Sequence, residues 1–248
     1  MSFFIYVFYA GALAAALAKA ATLANEHTVA VVYFPAGAYH IEGSFVVPDR
    51  VELQGAGAAL TALYWAYDNV TTAPATLLSP AQPSARWAAA NLTVYVLSLY
   101  HNIFHVPGDA NETGQFRLTG VTVRADAFHC RDGMGGLGTR SAPWWIPGNA
   151  TFGTLGGYQN TVVRLGALTN TSNWQAIGSY APATSVVVQD CDISSSWHVF
   201  QGRAKYLHIR GTRIWNGGMP FYLIGRQVTT TTIINKKNSI EEEGKKRI

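Results

Sequence analysis

The chain has 248 residues, 48% apolar and only 13% charged, with a formal net charge of +4. That length gives one large domain room for a full hydrophobic core. The last thirteen residues, Lys236–Ile248, carry five basic and three acidic groups and contribute +2, so the body is near neutral and lacks the basic stripe of a nucleic-acid binder.

The chain opens on an apolar run, Met1–Ala18, followed by Ala18-Lys19-Ala20. A secretory signal or signal anchor has that composition, although the basic start of one is missing. The segment GALAAALAKAATLANE sets Leu13 and Leu17 on one helical face at i,i+4 spacing. A helix is therefore expected over Ala12–Glu26, with Met1–Gly11 an apolar leader of open role.

The stretch Val31–Gly57, VVYFPAGAYHIEGSFVVPDRVELQGAG, alternates short apolar strands with Pro, Gly and Asp turns. The strands are too close together for helical crossovers. Further on the pattern repeats. Leu207, Ile209, Gly211 and Ile214 match Val186, Val188, Asp190 and Ile193 at a constant offset of 21. Phe116, Leu118, Gly120 and Val123 match again, and Val51, Leu53 and Gly55 match the first part. The period of two turns those side chains into a core. Gly, or an Asp that tolerates left-handed geometry, stands where the strand must bend. Gly202-Arg203 and Gly225-Arg226 form a second echo 23 residues apart. Two insertions are expected to interrupt the repeat, at about Thr61–Gln115 and Asp132–Ala183. The first still holds plausible strands at Asn91–Leu97 and Asn102–Val106. After Val228 the repeat gives way to TTTTIINKKNSIEEEGKKRI, read as a tail over 229–248.

Together the Val31–Gly57 stretch, the preceding helix and the repeats resemble the pectate-lyase-like superfamily over about half the chain. The resemblance implies an all-β fold, a right-handed parallel β-helix spanning 12–228, with a short capping helix at its N-terminal end and two long loop insertions. It implies a secreted protein whose partner is a polysaccharide, held in a groove walled by long loops and running along the strand after the third turn. The activity would be that of a polysaccharide lyase or a glycoside hydrolase; the alternative is a noncatalytic adhesin or structural module. The family's Asp-rich segment before the helix and its recognisable catalytic constellations are missing here. No cofactor is implied, although a lyase would hold Ca²⁺ through clustered acids.

Candidate residues are few. Asp126, Asp132, Asp190 and Asp192 are the carboxylates near the repeats. Asp190 falls at the bend position and reads as a turn residue, which leaves Asp192 as the catalytic candidate. His198, as acid or base, and Arg203, which could neutralise a substrate carboxylate, complete that set. Trp144 and Trp145 in the second insertion, with Arg226, are candidate substrate contacts, since exposed aromatic faces stack on sugars. Trp65 and Trp87 either do the same or seal the first insertion; Trp197 and Trp215 read as packing residues. His129-Cys130-Arg131-Asp132 lacks the further ligands of a metal site, and Gly133-x-Gly135-x-x-Gly138 lacks the strand–helix context of a dinucleotide site. Cys130 and Cys191 are either one disulfide or two thiols. Five Asn-x-Ser/Thr sites, at Asn69, Asn91, Asn111, Asn149 and Asn170, exceed the roughly two expected by chance and favour the secretory pathway.

Overall fold

A computed structural model describes residues 2–65, 76–96, 102–108, 113–125, 161–166, 183–195, 198–216, 221–223 and 230–234. It is mostly β, with one α-helix, and every pairing between its strands is parallel. The strands form three sheets, which the chain visits in rotation. Sheet 1 holds β1 (Ser2–Tyr6), β2 (Val29–Phe34), β5 (Val51–Gly55), β8 (Arg86–Ala90), β11 (Gln115–Thr119), β14 (Ala183–Gln189), β17 (Ala204–Arg210) and β20 (Thr230–Ile234). Sheet 2 holds β3 (Gly37–Ile41), β6 (Thr61–Trp65), β9 (Thr93–Val96), β12 (Thr122–Ala125), β15 (Asp192–Ser195) and β18 (Arg213–Asn216). Sheet 3 holds β4 (Phe45–Val47), β7 (Thr76–Pro80), β10 (Asn102–Val106), β13 (Thr161–Leu165), β16 (His198–Gly202) and β19 (Phe221–Leu223). Three consecutive strands, one per sheet, make a rung, and each rung pairs in register with the next. This arrangement is consistent with a parallel β-helix.

The register reproduces the sequence repeat. Val186 and Val188 lie opposite Leu207 and Ile209 on one side, and opposite Phe116 and Leu118 on the other. All six are buried, and with Val51, Leu53, Trp87 and Ala89 they form the inner face of sheet 1.

The corner between sheets 1 and 2 explains the bend residues. In four successive rungs it is a two-residue link whose first member has positive φ: Asn91 (53°), Gly120 (60°), Asp190 (52°) and Gly211 (60°). Asx and Gly alternate there because the corners stack. A Cβ at Gly120 would lie 2.7 Å from Asn91 Oδ1, and one at Gly211 would collide with Asp190 Oδ1. Asp190 is thus a turn residue, as its place in the repeat indicated. Gly211→Ala should cost about 1–2 kcal/mol, chiefly for placing an L-residue in left-handed backbone. Asp190→Gly, at an exposed position, should stay within about 0.5 kcal/mol of the parent. Urea unfolding midpoints check both. Equal costs for the two would contradict the stacked-corner account.

The helix α1 (Leu13–Leu23) lies within the span expected for it. Leu13, Ala16, Leu17 and Ala20 are buried at i, i+3, i+4 and i+7, and α1 packs on β1 and β2. Ahead of α1, Ser2–Tyr6 in the apolar leader forms β1, parallel to β2, with Tyr6 edge-on to Tyr33 at 5.3 Å. No helix among the described residues is long and apolar enough to cross a membrane.

Three expectations are corrected. Thr61–Gln115 does not interrupt the repeat: it supplies β6 to β10 and the start of β11, all in register. Asp132–Ala183 likewise contains β13, paired with β10 and β16. Thr230–Ile234 is not yet tail, since it pairs with β17 as β20; residues 235–248 lie outside the described part. Trp65 and Trp87 are core residues, 1% and 4% exposed. Trp65 Nε1 donates to Gly43 O at 2.9 Å. Cys191 is a buried free thiol, pushed up to about 11 mainly by burial; Cys130 lies outside the described residues.

Candidate functional site

On the outer face of sheet 2 one row of residues runs through six rungs. The pairings His40–Tyr64, Tyr64–Tyr95, Tyr95–Arg124, Arg124–Ser194 and Ser194–Trp215 are all in register. Parallel pairing places like positions one above another at about 4.8 Å, so flat side chains in such a row stack. Tyr64 and Tyr95 do so at 4.7 Å between centroids and 6° between planes. His40 continues the stack at 5.6 Å and 22°. Burial, and next the neighbouring Tyr95, push the Tyr64 hydroxyl above its ordinary value, so it remains a donor at neutral pH. The faces of Tyr64 are covered on both sides, which leaves ring edges and hydroxyls for contact with solvent.

The other end of the row is charged. Asp192 lies beside it, between Thr122 and Arg213 in register. Arg124 Nη1 donates to Asp192 Oδ1 and to the Asp192 carbonyl, both at 3.0 Å, and to Val123 O at 3.1 Å. Trp215 Nε1 donates to the same Oδ1 at 3.2 Å. Oδ2 faces only Arg213 Nη1 among these groups, at 3.7 Å. Arg124 is thus a largely covered strut (17% exposed), while Arg213 (68%) is a surface group 5.8 Å from the Trp215 ring. Trp215 is 48% exposed, which corrects its reading as a packing residue: β18 turns it outward. The cluster offers a carboxylate oxygen, an exposed guanidinium and an indole face together. Such a set can accept from hydroxyls, donate to them, and stack on an apolar ring face.

The three catalytic candidates are distributed over different elements. Asp192 opens β15 in sheet 2. His198 opens β16 in sheet 3, opposite Thr161; its side chain lies outside the described part. Arg203, half-buried, forms the link from β16 to β17, where its N–H donates to Leu165 O (3.3 Å) and its carbonyl accepts from Ala183 N (2.8 Å). Asp192 and Arg203 therefore do not share a sheet face. Trp144, Trp145, Arg226, Asp126 and Asp132 lie outside the described residues. No group of three or more His, Cys, Asp or Glu among the described residues could hold a metal ion.

Sheet 3 adds two polar residues that the sequence reading missed. His105 and Gln201 occupy one outward row, with Arg164 between them in register, and are 8% and 3% exposed. His105 Nε2 donates to Gly166 O at 2.8 Å. Apolar neighbours on the same outer side, Leu77, Ile103, Val162 and Val199, are fully buried, so the middle of this sheet is covered on both faces, whereas Val46 on its edge strand β4 is 57% exposed. The long connections 66–75 and 126–160 both lead from sheet 2 into sheet 3. Compared with protein-family models, with curated proteins and with solved structures, the chain gives no match.

Proposed function

We propose that this chain is a right-handed parallel β-helix that binds polysaccharide outside the cell, with the outer face of sheet 2 as its binding surface. One observation carries the reading: the in-register row from His40 to Trp215, exposed or half-exposed at every rung except at Ser194, whose buried hydroxyl donates to Val123 O at 3.3 Å, ring-rich at one end and joined to the Asp192–Arg213 cluster at the other. Five rung spacings at about 4.8 Å make a strip roughly 24 Å long. A strip of that shape, with two tyrosine hydroxyls towards one end and an indole at the other, suits an extended ligand rich in hydroxyls and weakly apolar ring faces. A globular partner would need a broad apolar centre instead. The resemblance of the repeats and the capping helix to the pectate-lyase-like superfamily points to the same ligand class.

In this reading Asp192 is a recognition residue, held by Arg124 and Trp215 so that its second oxygen faces the ligand. The test is affinity electrophoresis of the full chain against a panel of neutral and acidic polysaccharides. Trp215→Ala should weaken binding about tenfold, the equivalent of about 1.4 kcal/mol, with Tyr95→Ala acting in the same direction. An unchanged affinity in Trp215→Ala would refute the surface assignment. Reducing or unsaturated ends appearing in the same incubations, and lost in Asp192→Asn, would make the protein an enzyme with Asp192 in its chemistry.

A further inference from the structure

The outer face of sheet 1 carries a different feature. Its central row reads Glu52, Ala88, Arg117 and Val187 on successive strands. Ala88 contributes only a methyl where its neighbours contribute long side chains, so the sheet dips there. The dip opens into a shallow groove of about 270 Å³, with Arg50, Arg86 and Gln115 along its second side.

Three guanidiniums meet this groove, and they are not equally engaged. Arg50 is paired with Asp49 at 3.5 Å, and Asp49 also accepts the Arg86 backbone N–H at 2.6 Å. Arg117 reaches across Ala88 to Glu52 at 3.6 Å; it is 63% exposed, so the pair is solvated and weak. The Arg86 guanidinium has no hydrogen-bond or ion-pair partner among the described residues. Arg86 pairs with Gln115, two residues before Arg117 on the same strand, so the two guanidiniums approach the dip from diagonal positions. A free guanidinium and a loosely held one, over a small hollow with Gln115 on its edge, suit one planar or tetrahedral anion bound through charge-assisted, bidentate contacts.

We infer that this groove binds an acidic substituent of a glycan, a carboxylate or a sulfate, and gives the protein a preference for acidic over neutral polysaccharide. The inference rests on the glycan reading but uses a different sheet and different residues. The hollow is sized for one substituent. Asp49 and Glu52 beside it reduce the local formal charge to +1 (three Arg against two acids). A long polyanion such as nucleic acid would need a track of many cations, and this hollow gathers three guanidiniums against two acids.

The experiment measures binding of the full chain to oligogalacturonate, to the same oligomer with its carboxyls reduced, to dextran sulfate and to duplex DNA. The variant is the double substitution Arg86→Gln, Arg117→Gln, with an unchanged melting temperature as the folding control. The parent should bind the acidic oligomer at least about tenfold more tightly than its reduced form, and about 1 M salt should abolish that preference. The double variant should bind both forms alike. Dextran sulfate following oligogalacturonate shows that the groove reads charge on sugar; only one of the two losing affinity shows which anion it takes. A preference that survives in the double variant overturns the inference, as does DNA competing as strongly as the oligomers. Failure of the sheet 2 surface would show separately, as Trp215→Ala leaving both oligomers unaffected.

Discussion

Trp87→Ala is expected to lower the stability of the chain by about 3–5 kcal/mol, or roughly 10 °C in melting temperature for a chain this long. Trp87 is the large inward residue of β8, 4% exposed. Its ring lies 4.4 Å from Phe116 in the next strand of sheet 1 and 6.4 Å from Phe104 in sheet 3, and those two rings are 5.5 Å apart. The indole therefore bridges two sheets across the core. After Trp87, β8 continues as Ala88, Ala89 and Ala90, which have no atoms to move into the space left, and Arg86 before it is exposed on the outer face. An unfilled cavity adds to the lost transfer free energy. Because each rung buries its apolar face only against its neighbours, the damage should be local. Hydrogen exchange should quicken in β5, β8 and β11 and change least in β17. Trp87→Phe should recover most of the loss. A cost below about 1 kcal/mol, or exchange that quickens evenly along the stack, would contradict this packing.

The same β8 shows why part of the fold was hidden in the sequence. Sheets 1 and 2 have one face largely towards water, and several of their strands alternate: Val51, Leu53 and Gly55 are buried while Glu52 and Gln54 are half-exposed. That alternation, with Gly or Asp at each corner, was legible at β5, β11, β14 and β17. The middle of sheet 3 is covered on both sides, and its strands lose the alternation there; Ile103, Phe104, His105 and Val106 are all buried. Such a run looks like any buried segment, so β7 and β13 carry no strand signature of their own. β8 is an alanine-rich segment in a strand, contrary to β propensity, and only Trp87 marks its inward register.

The site was legible only as single residues. Asp192 stood out because carboxylates are scarce in the chain. Its partners are remote in sequence: Arg124 is 68 residues away and Trp215 is 23. Rung lengths vary through the chain, so no fixed offset connects them. One signal was available. Leu63-Tyr64-Trp65 and Val94-Tyr95-Val96 each carry a tyrosine between two inward apolar residues. Aligning rungs on those inward positions stacks the two tyrosines and brings Arg124 into line, because Val123 and Ala125 flank it in the same way. Arg86 and Arg117 could not be read as a pair without knowing that Ala88, in register with Arg117 and two residues after Arg86, leaves a hollow beside both.

Gly202→Ala should be the most damaging small change in sheet 3, at about 3 kcal/mol or more. Gly202 ends β16 with φ 123°, outside the range of L-residues, and pairs in register with Leu165 and Leu223. A Cβ there would strike the Leu165 carbonyl oxygen and lie 2.9 Å from its carbon. That oxygen already accepts the Arg203 N–H at 3.3 Å. Neither strand can yield without breaking the ladder, because the opposing atoms are backbone. Gly43 is the control: its φ is 87°, and nothing lies within 4 Å of its Cβ position. Gly43→Ala should therefore pay only the conformational cost, about 1–2 kcal/mol. The difference between the two variants, measured by urea unfolding, reports the collision between adjacent rungs together with the extra backbone strain of φ 123° over 87°. Because Gly202 separates Gln201 from Arg203, Gly202→Ala should also shift both and perturb the buried polar row with His105. Equal costs for Gly202→Ala and Gly43→Ala would mean that β13 and β16 are not in contact through this register, and the order of strands in sheet 3 would have to be redrawn.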